Sequence, residues 1–303
     1  MAKFKKVKLN KIKSHLLVLL ATVFIAGSFI ASAKISGIIH PISLTLLRFV
    51  IAALGLLPFV LLKAQFRRQV FNTMPRSLII SMFYSGYFIC LFESLNFTSA
   101  LNTGTLFTLV PFLTAVLCIF ILKSSITFKQ MIVYLLAAVG TLWVIFNGDF
   151  DLLLSFSLNK GDLIFMVGVF AMCGYSIAMK LLYRNDDMII LVFCTVLGGA
   201  FWMVLTLLFL KIPLQWQLLQ GDSILYISYL AIIATLGTSY LHQKTTVTLG
   251  PSRVMAYIYL NPACVALLLF ILTGESVIPL VVPGIILSTT ATIILQLLHT
   301  KSI

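Results

Sequence analysis

Charge is scarce in this chain of 303 residues: Asp, Glu, Lys and Arg make up 10% of it, and only 8 residues are acidic. A soluble globular domain carries about 25% charged and about 45–50% apolar residues, whereas apolar residues reach 61% here. No core in water is large enough to hide that much apolar surface, so a soluble domain is excluded. CxxC spacing is also absent, and Cys90, Cys118, Cys173, Cys194 and Cys264 all fall within apolar runs. This argues against a disulfide framework or a zinc site and leaves small packing residues. No G-x-x-x-x-G-K-[ST] segment occurs, so no ATP-binding loop of that kind is expected. His15, His40, His242 and His299 lie near the ends of apolar runs, and His242 has no second ligand at i+4. Neither a metal site nor the Ser–His pair of an intramembrane hydrolase is apparent. No catalytic residue and no cofactor is expected.

What the chain does have is long apolar runs. A helical crossing of the hydrocarbon core needs roughly 20 residues, about twice the length of a barrel strand. Reading the runs between charges, Pro and Gly gives spans near 14–32, 41–62, 78–95, 100–122, 130–147, 163–182, 188–210, 224–241, 251–272 and 279–298. The expected fold is therefore an all-α integral membrane protein of ten transmembrane helices. Six lysines before Leu16 and an Ala31-Ser32-Ala33 triplet after the first run imitate a secretory signal with its cleavage site. An uncleaved first helix is preferred, because the repeat described below needs it.

The net charge of +13 invites a nucleic-acid reading, but the charges sit in short links between apolar runs. Membrane topology explains them better, and no nucleic-acid partner is expected. With the N-terminus inside, the inner segments hold 17 basic residues and the outer ones only Lys34, Lys160 and Lys211, with Arg48 inside a span. The positive-inside rule then puts both termini in the cytoplasm of a multi-pass protein of the cell (inner) membrane.

Two stretches resemble one another. Ala100-Leu-Asn-Thr-Gly-Thr-Leu-Phe-Thr-Leu-Val-Pro111 enters span four and Pro251-Ser-Arg-Val-Met-Ala-Tyr-Ile-Tyr-Leu-Asn-Pro262 enters span nine, 151 residues later. Spans two and seven align at a similar offset, Lys34 matching Lys180. The halves would be residues 1–147 and 160–303, joined by the Asp149–Asp162 loop. Five crossings each is an odd number, so the halves are two inverted five-helix repeats. Such repeats are a recurrent plan of secondary transporters, with the substrate site at their interface near the midplane.

These residues resemble the drug/metabolite transporter superfamily, in its ten-helix EamA type. The most specific stretch is Gly250-Pro-Ser-Arg-Val-Met-Ala-Tyr-Ile-Tyr-Leu-Asn-Pro262, running on to Gly274-Glu275. Leu47-Arg48-Phe49 is similar to the family's Arg in helix two, and Leu95-Asn-Phe-Thr-Ser-Ala100 to its helix three–four turn. Lys123 stands where many relatives have Glu, and helix one lacks the usual Trp, which leaves the substrate open. The resemblance implies a secondary transporter of small metabolites, amino acids or drugs by alternating access, and an exporter is the preferred direction. An intramembrane enzyme or a non-transporting membrane scaffold is the alternative.

Charges inside spans are expensive and are functional candidates by default. Arg48 lies about seven residues, roughly 10 Å, below the outer face, and Glu93 lies at a comparable depth. They could pair with each other, or either could face a substrate of opposite charge. A desolvated Glu93 could also exchange a proton for substrate. Thr98, Asn102 and Thr105 share a helix face at i, i+4, i+7, as interhelical glue or as solute ligands. Tyr257 and Asn261 share another, and Tyr175 could form an aromatic wall. Pro111 and Pro262, at matching places in the two halves, are the hinge candidates. Arg253 could attract an anion or simply anchor the inner face. Gly198-Gly199 could serve packing within one chain or a homodimer contact.

Overall fold

The computed structural model describes residues 2–35, 37–98, 100–155, 158–274 and 279–300. Glu275 and Lys301 lie outside them, as do the side chains of Lys3, Lys5, Lys6, Lys8, Lys11 and His299. Among the described residues ten helices are long and apolar enough to cross a membrane. They are α1 (Ile12–Lys34), α2 (Pro41–Leu62), α3 (Ala64–Ser94), α4 (Asn102–Leu122) and α5 (Phe128–Ile145), then α6 (Lys160–Leu182), α7 (Met188–Leu210), α8 (Asp222–Leu249), α9 (Pro251–Leu272) and α10 (Pro279–Leu298). An even number of crossings brings the two termini to the same end of the bundle, called here the N-terminal end.

Helices α3 and α8 run well beyond their apolar stretches. The basic cluster around Arg67 and Arg68 reads as a loop, yet α3 begins at Ala64 after one extended residue, Lys63. Gln and Arg have unbranched side chains and sustain a helix, so the charges ride on its exposed surface while Phe66 is buried. Helix α8 likewise continues past residue 241 through a run rich in Thr, Gln and His. Its hydroxyls bond the preceding turn: Thr238 to the Ala234 carbonyl at 2.6 Å, Thr245 to Leu241 at 2.6 Å and Thr248 to Lys244 at 2.9 Å. Satisfied in this way, polar side chains can remain at membrane depth. His242 is therefore in the body of α8, not at its inner end.

The helix pairing obeys a two-fold exchange of the halves. The most extensive contacts include α3 with α6, matched by α8 with α1, and α3 with α7, matched by α8 with α2. Helix α4 packs on α6 as α9 packs on α1. The pairs α2–α7 and α5–α10 map onto themselves. Exchanging each helix with the one five later reproduces this contact pattern, as two inverted repeats require. Small residues let the self-paired helices close. A Cβ on Gly140 of α5 would lie 2.9 Å from the Gly284 carbonyl of α10, and one on Gly199 of α7 would lie 2.8 Å from the Phe49 ring of α2. The Gly198-Gly199 pair is thus taken up by packing inside one chain, with Gly198 against Ser81.

Helices α4, α8 and α9 are interrupted, and two of the breaks fall beside the prolines singled out above. Helix α4 breaks at Thr108, between Ala100–Phe107 and Leu109–Leu122, with Pro111 buried in the following turn. In α9 a 3-10 turn, Ala256–Leu260, precedes Asn261–Thr273. Pro262 has no N–H to continue the ladder, and the tighter turn lets the Asn261 N–H reach the Ile258 carbonyl instead. Helix α8 carries a π-helical stretch, Tyr229–Gly237.

Candidate functional site

The three interrupted helices converge on a cavity of about 420 Å³, within the roughly 300–1,000 Å³ range of small-molecule sites. Its walls come from α1, α2, α3 and α4 of the first half and α6, α8 and α9 of the second. Near the far end of the bundle it is lined by Ser32 at the close of α1, Leu95 just beyond α3 and Thr103 at the start of α4. At the N-terminal end the helices are bonded across: Ser14 of α1 to Thr248 of α8 at 3.2 Å, and His15 of α1 to Tyr257 of α9 at 2.9 Å. Lys180 of α6 donates to the Val247 carbonyl of α8.

The cavity's one strong cation is Arg48. Its side chain comes off α2, is 9% exposed, and donates from Nε to Thr235 Oγ1 at 3.0 Å. Thr235 lies in the π-helical stretch and donates in turn to the Leu230 carbonyl five residues back, at 2.7 Å. Wide π turns of this kind recur at functional sites. The Arg48 guanidinium carbon lies 5.9 Å from the centre of the Phe88 ring. Tyr84 stacks on Tyr175 at 4.7 Å and meets Phe88 edge-on at 5.2 Å. Asn261 and His242 line the cavity together with Ser28, Thr238 and Ser239, and Asn261 Oδ1 and His242 Nε2 are buried without a hydrogen-bond partner.

Of the residues singled out from the sequence, Arg48, Tyr175 and Asn261 meet in this cavity. The other candidates for solute contact or coupling do not line it. Glu93 is half-buried and accepts from Asn96 Nδ2 at 3.5 Å. It does not pair with Arg48; among the described residues the one salt bridge is Arg76–Asp186, at 2.8 Å. Asn102 donates to Asp162 Oδ2 at 3.2 Å and Thr98 to Asp162 Oδ1 at 2.6 Å, so Thr98, which lies in the turn before α4 and not on its face, and Asn102 together hold the start of α6. Thr105 gives its carbonyl to the Thr108 hydroxyl at the helix break. Tyr257 shares its hydroxyl with His15 at the N-terminal end. Arg253 is buried, and its carbonyl accepts from Gln296.

Apart from Tyr175, the aromatic lining has no distinct signal in the sequence. Tyr84, Phe88 and Phe92 recur at i, i+4, i+8 on α3 with Tyr87 beside them, a helical stripe that in an apolar chain looks like ordinary packing. His242, weighed from the sequence only as a metal ligand at the inner end of span eight, reaches the cavity because α8 runs on to Leu249.

At the N-terminal end, outside the spans, Asp186 closes the α6–α7 turn onto α3. Burial by itself would raise its carboxyl. The Arg76 guanidinium on both oxygens, at 2.8 Å each, the Arg184 N–H and the Thr73 hydroxyl outweigh that and hold it below the usual carboxylate range.

Ten apolar helices in two inverted halves around one shared cavity define the class, a multi-pass membrane transporter. The chain belongs to the EamA-like transporter family, whose model matches twice, over residues 12–146 and 159–297. It is 26% identical over 206 residues to the uncharacterized transporter YyaM of Bacillus subtilis (strain 168), covering 66% of this chain and 67% of that protein. A crystal structure of a protein 18% identical in sequence shares the fold with a TM-score of 0.77, covering 95% of this chain and 98% of the other.

Proposed function

We propose that the protein is a secondary transporter that exports a small metabolite, amino acid or drug by alternating access, with both termini in the cytoplasm of the cell (inner) membrane. One observation carries the reading: a cavity walled by both repeats has lining residues near the far end of the bundle, while hydrogen bonds cross between helices of the two halves at the N-terminal end. Two similar halves of opposite sense can exchange conformations, which would close the far end and open the other. Pro111 and Pro262 sit at the breaks where such a motion has the fewest backbone bonds to disrupt. In this reading Arg48, Tyr175 and Asn261 contact the solute. The concentration of basic residues at the N-terminal end supports the orientation.

Counterflow in proteoliposomes tests the proposal. A labelled solute that exchanges unchanged supports it, a solute returned chemically altered favours an intramembrane enzyme, and no exchange across a broad metabolite panel refutes it. For the orientation, a C-terminal reporter active only on the outer side should stay silent.

A further inference from the structure

The charge balance of the cavity is uneven in a way that its aromatic walls do not explain. Arg48 is buried among rings and makes one hydrogen bond through Nε, and no hydrogen bond runs from its two terminal nitrogens to another described residue. A guanidinium offers five N–H donors in a flat fork. None of the cavity-lining residues is acidic, and Arg76–Asp186, at the N-terminal end, does not involve it. The exchange of halves gives Arg48 no counterpart either, since α7 contains no charged residue. A lone guanidinium at membrane depth is costly unless something arrives to pair with it.

We propose that the cavity takes a monoanion with a flat apolar body, its carboxylate held by the terminal nitrogens of Arg48 and its body lying along Tyr84, Phe88 and Tyr175. The inference rests on the cavity being the transport site. One cation suits one negative charge, and the planar fork suits a carboxylate better than a point charge would. The rings supply offset and edge-on contacts for an aromatic or similarly flat skeleton. Asn261 Oδ1 can accept from one uncharged polar substituent on that skeleton, and His242 Nε2 can accept from it or donate to it according to its tautomer. An ammonium group on the same ligand finds no carboxylate in the lining, so cations and zwitterions are disfavoured relative to the acid.

Binding to the full chain in phosphatidylcholine nanodiscs, followed calorimetrically, tests this with four probes of nearly one shape: indole-3-acetate, indole-3-acetamide, tryptamine and tryptophan. The acid should bind roughly ten- to a hundredfold more tightly than the neutral amide, as hydrogen bonds to a charged group imply, and tryptamine should bind least. Arg48→Gln should abolish the preference, and Arg48→Lys should restore part of it. Equal or tighter binding of the amide or the amine overturns the proposal, as does no binding of the acid; the wild-type ranking decides even if the variants fail to fold. Discs containing phosphatidylglycerol distinguish a dissolved acid from an acidic lipid. Loss of indole-3-acetate binding there would assign the site to lipid and overturn the solute reading. Counterflow separates the two levels. Arg48-dependent binding of the acid without exchange of any solute sinks the transport reading and leaves the site, whereas exchange of only neutral or cationic solutes keeps transport and sinks this inference.

Discussion

Asp162 offers the sharpest test of how the two halves are joined. It caps α6 at the end of the inter-repeat loop and is 1% exposed. Its Oδ1 accepts from the Thr98 hydroxyl at 2.6 Å, and its Oδ2 from the Asn102 amide at 3.2 Å and the Asn159 N–H at 2.8 Å. One carboxylate thus ties the α3–α4 turn of the first half to the first turn of the second. Each hydrogen bond to a charged group is worth roughly 1.5–3 kcal/mol, and orphaned buried donors add to the loss, so Asp162→Ala should cost about 3–5 kcal/mol after partial relaxation. Asp162→Asn should cost less, about 1–2 kcal/mol. Its amide nitrogen can face Thr98, whose hydroxyl is able to turn and accept. Unfolding of the purified protein in mixed detergent, titrated with SDS and followed by circular dichroism, measures both. A double-mutant cycle with Thr98→Ala should return a coupling of at least about 1 kcal/mol. An Ala variant as stable as the Asn variant, or a coupling near zero, would refute the account.

Other sites give independent checks. The Asp186 carboxyl is held low, so its pairing stabilises the fold above the unfolded carboxylate value of about 3.9 and is lost as pH falls through the lower folded value. The stability gap between wild type and Asp186→Asn, about 1–3 kcal/mol at pH 7, should close only below about pH 4; a gap that is flat from pH 7 to 3 contradicts the pairing. Gly199→Ala places a Cβ 2.8 Å from Phe49 and should destabilise by about 1–3 kcal/mol, with Phe49→Leu recovering part of the loss in the same SDS titration. Tyr257→Phe removes the hydroxyl bonded to His15 and should weaken closure of the N-terminal end by about 0.5–1.5 kcal/mol. A cysteine placed at Ser28, with the five native cysteines replaced, should then react more slowly with a membrane-impermeant thiol reagent added from the far side. An unchanged rate would remove this bond from the closure.

The membrane class, the number of crossings and the division into five plus five are legible in the amino-acid order because each depends on local composition or on spacing along one chain. A bilayer selects helices one by one for apolar length, and the basic residues report which links stay on one side. Even the breaks at Pro111 and Pro262 follow from a missing N–H, a property of the residue itself. What lines the cavity is different in kind. Arg48 and Glu93 look equivalent in sequence, two charges at similar depth, and only the packing separates them. The π stretch of α8 carries Thr235 to Arg48, whereas Glu93 faces Asn96. Asn102 and Tyr257 have the spacing of ligands but spend their hydrogen bonds on Asp162 and His15. Tyr84, Phe88 and His242 carry no signal along the chain, since an aromatic stripe or a polar turn on one helix means nothing until another helix is set against it. A helix face has a period that sequence displays, whereas the partner of that face is chosen by the way seven helices from both halves close around one space.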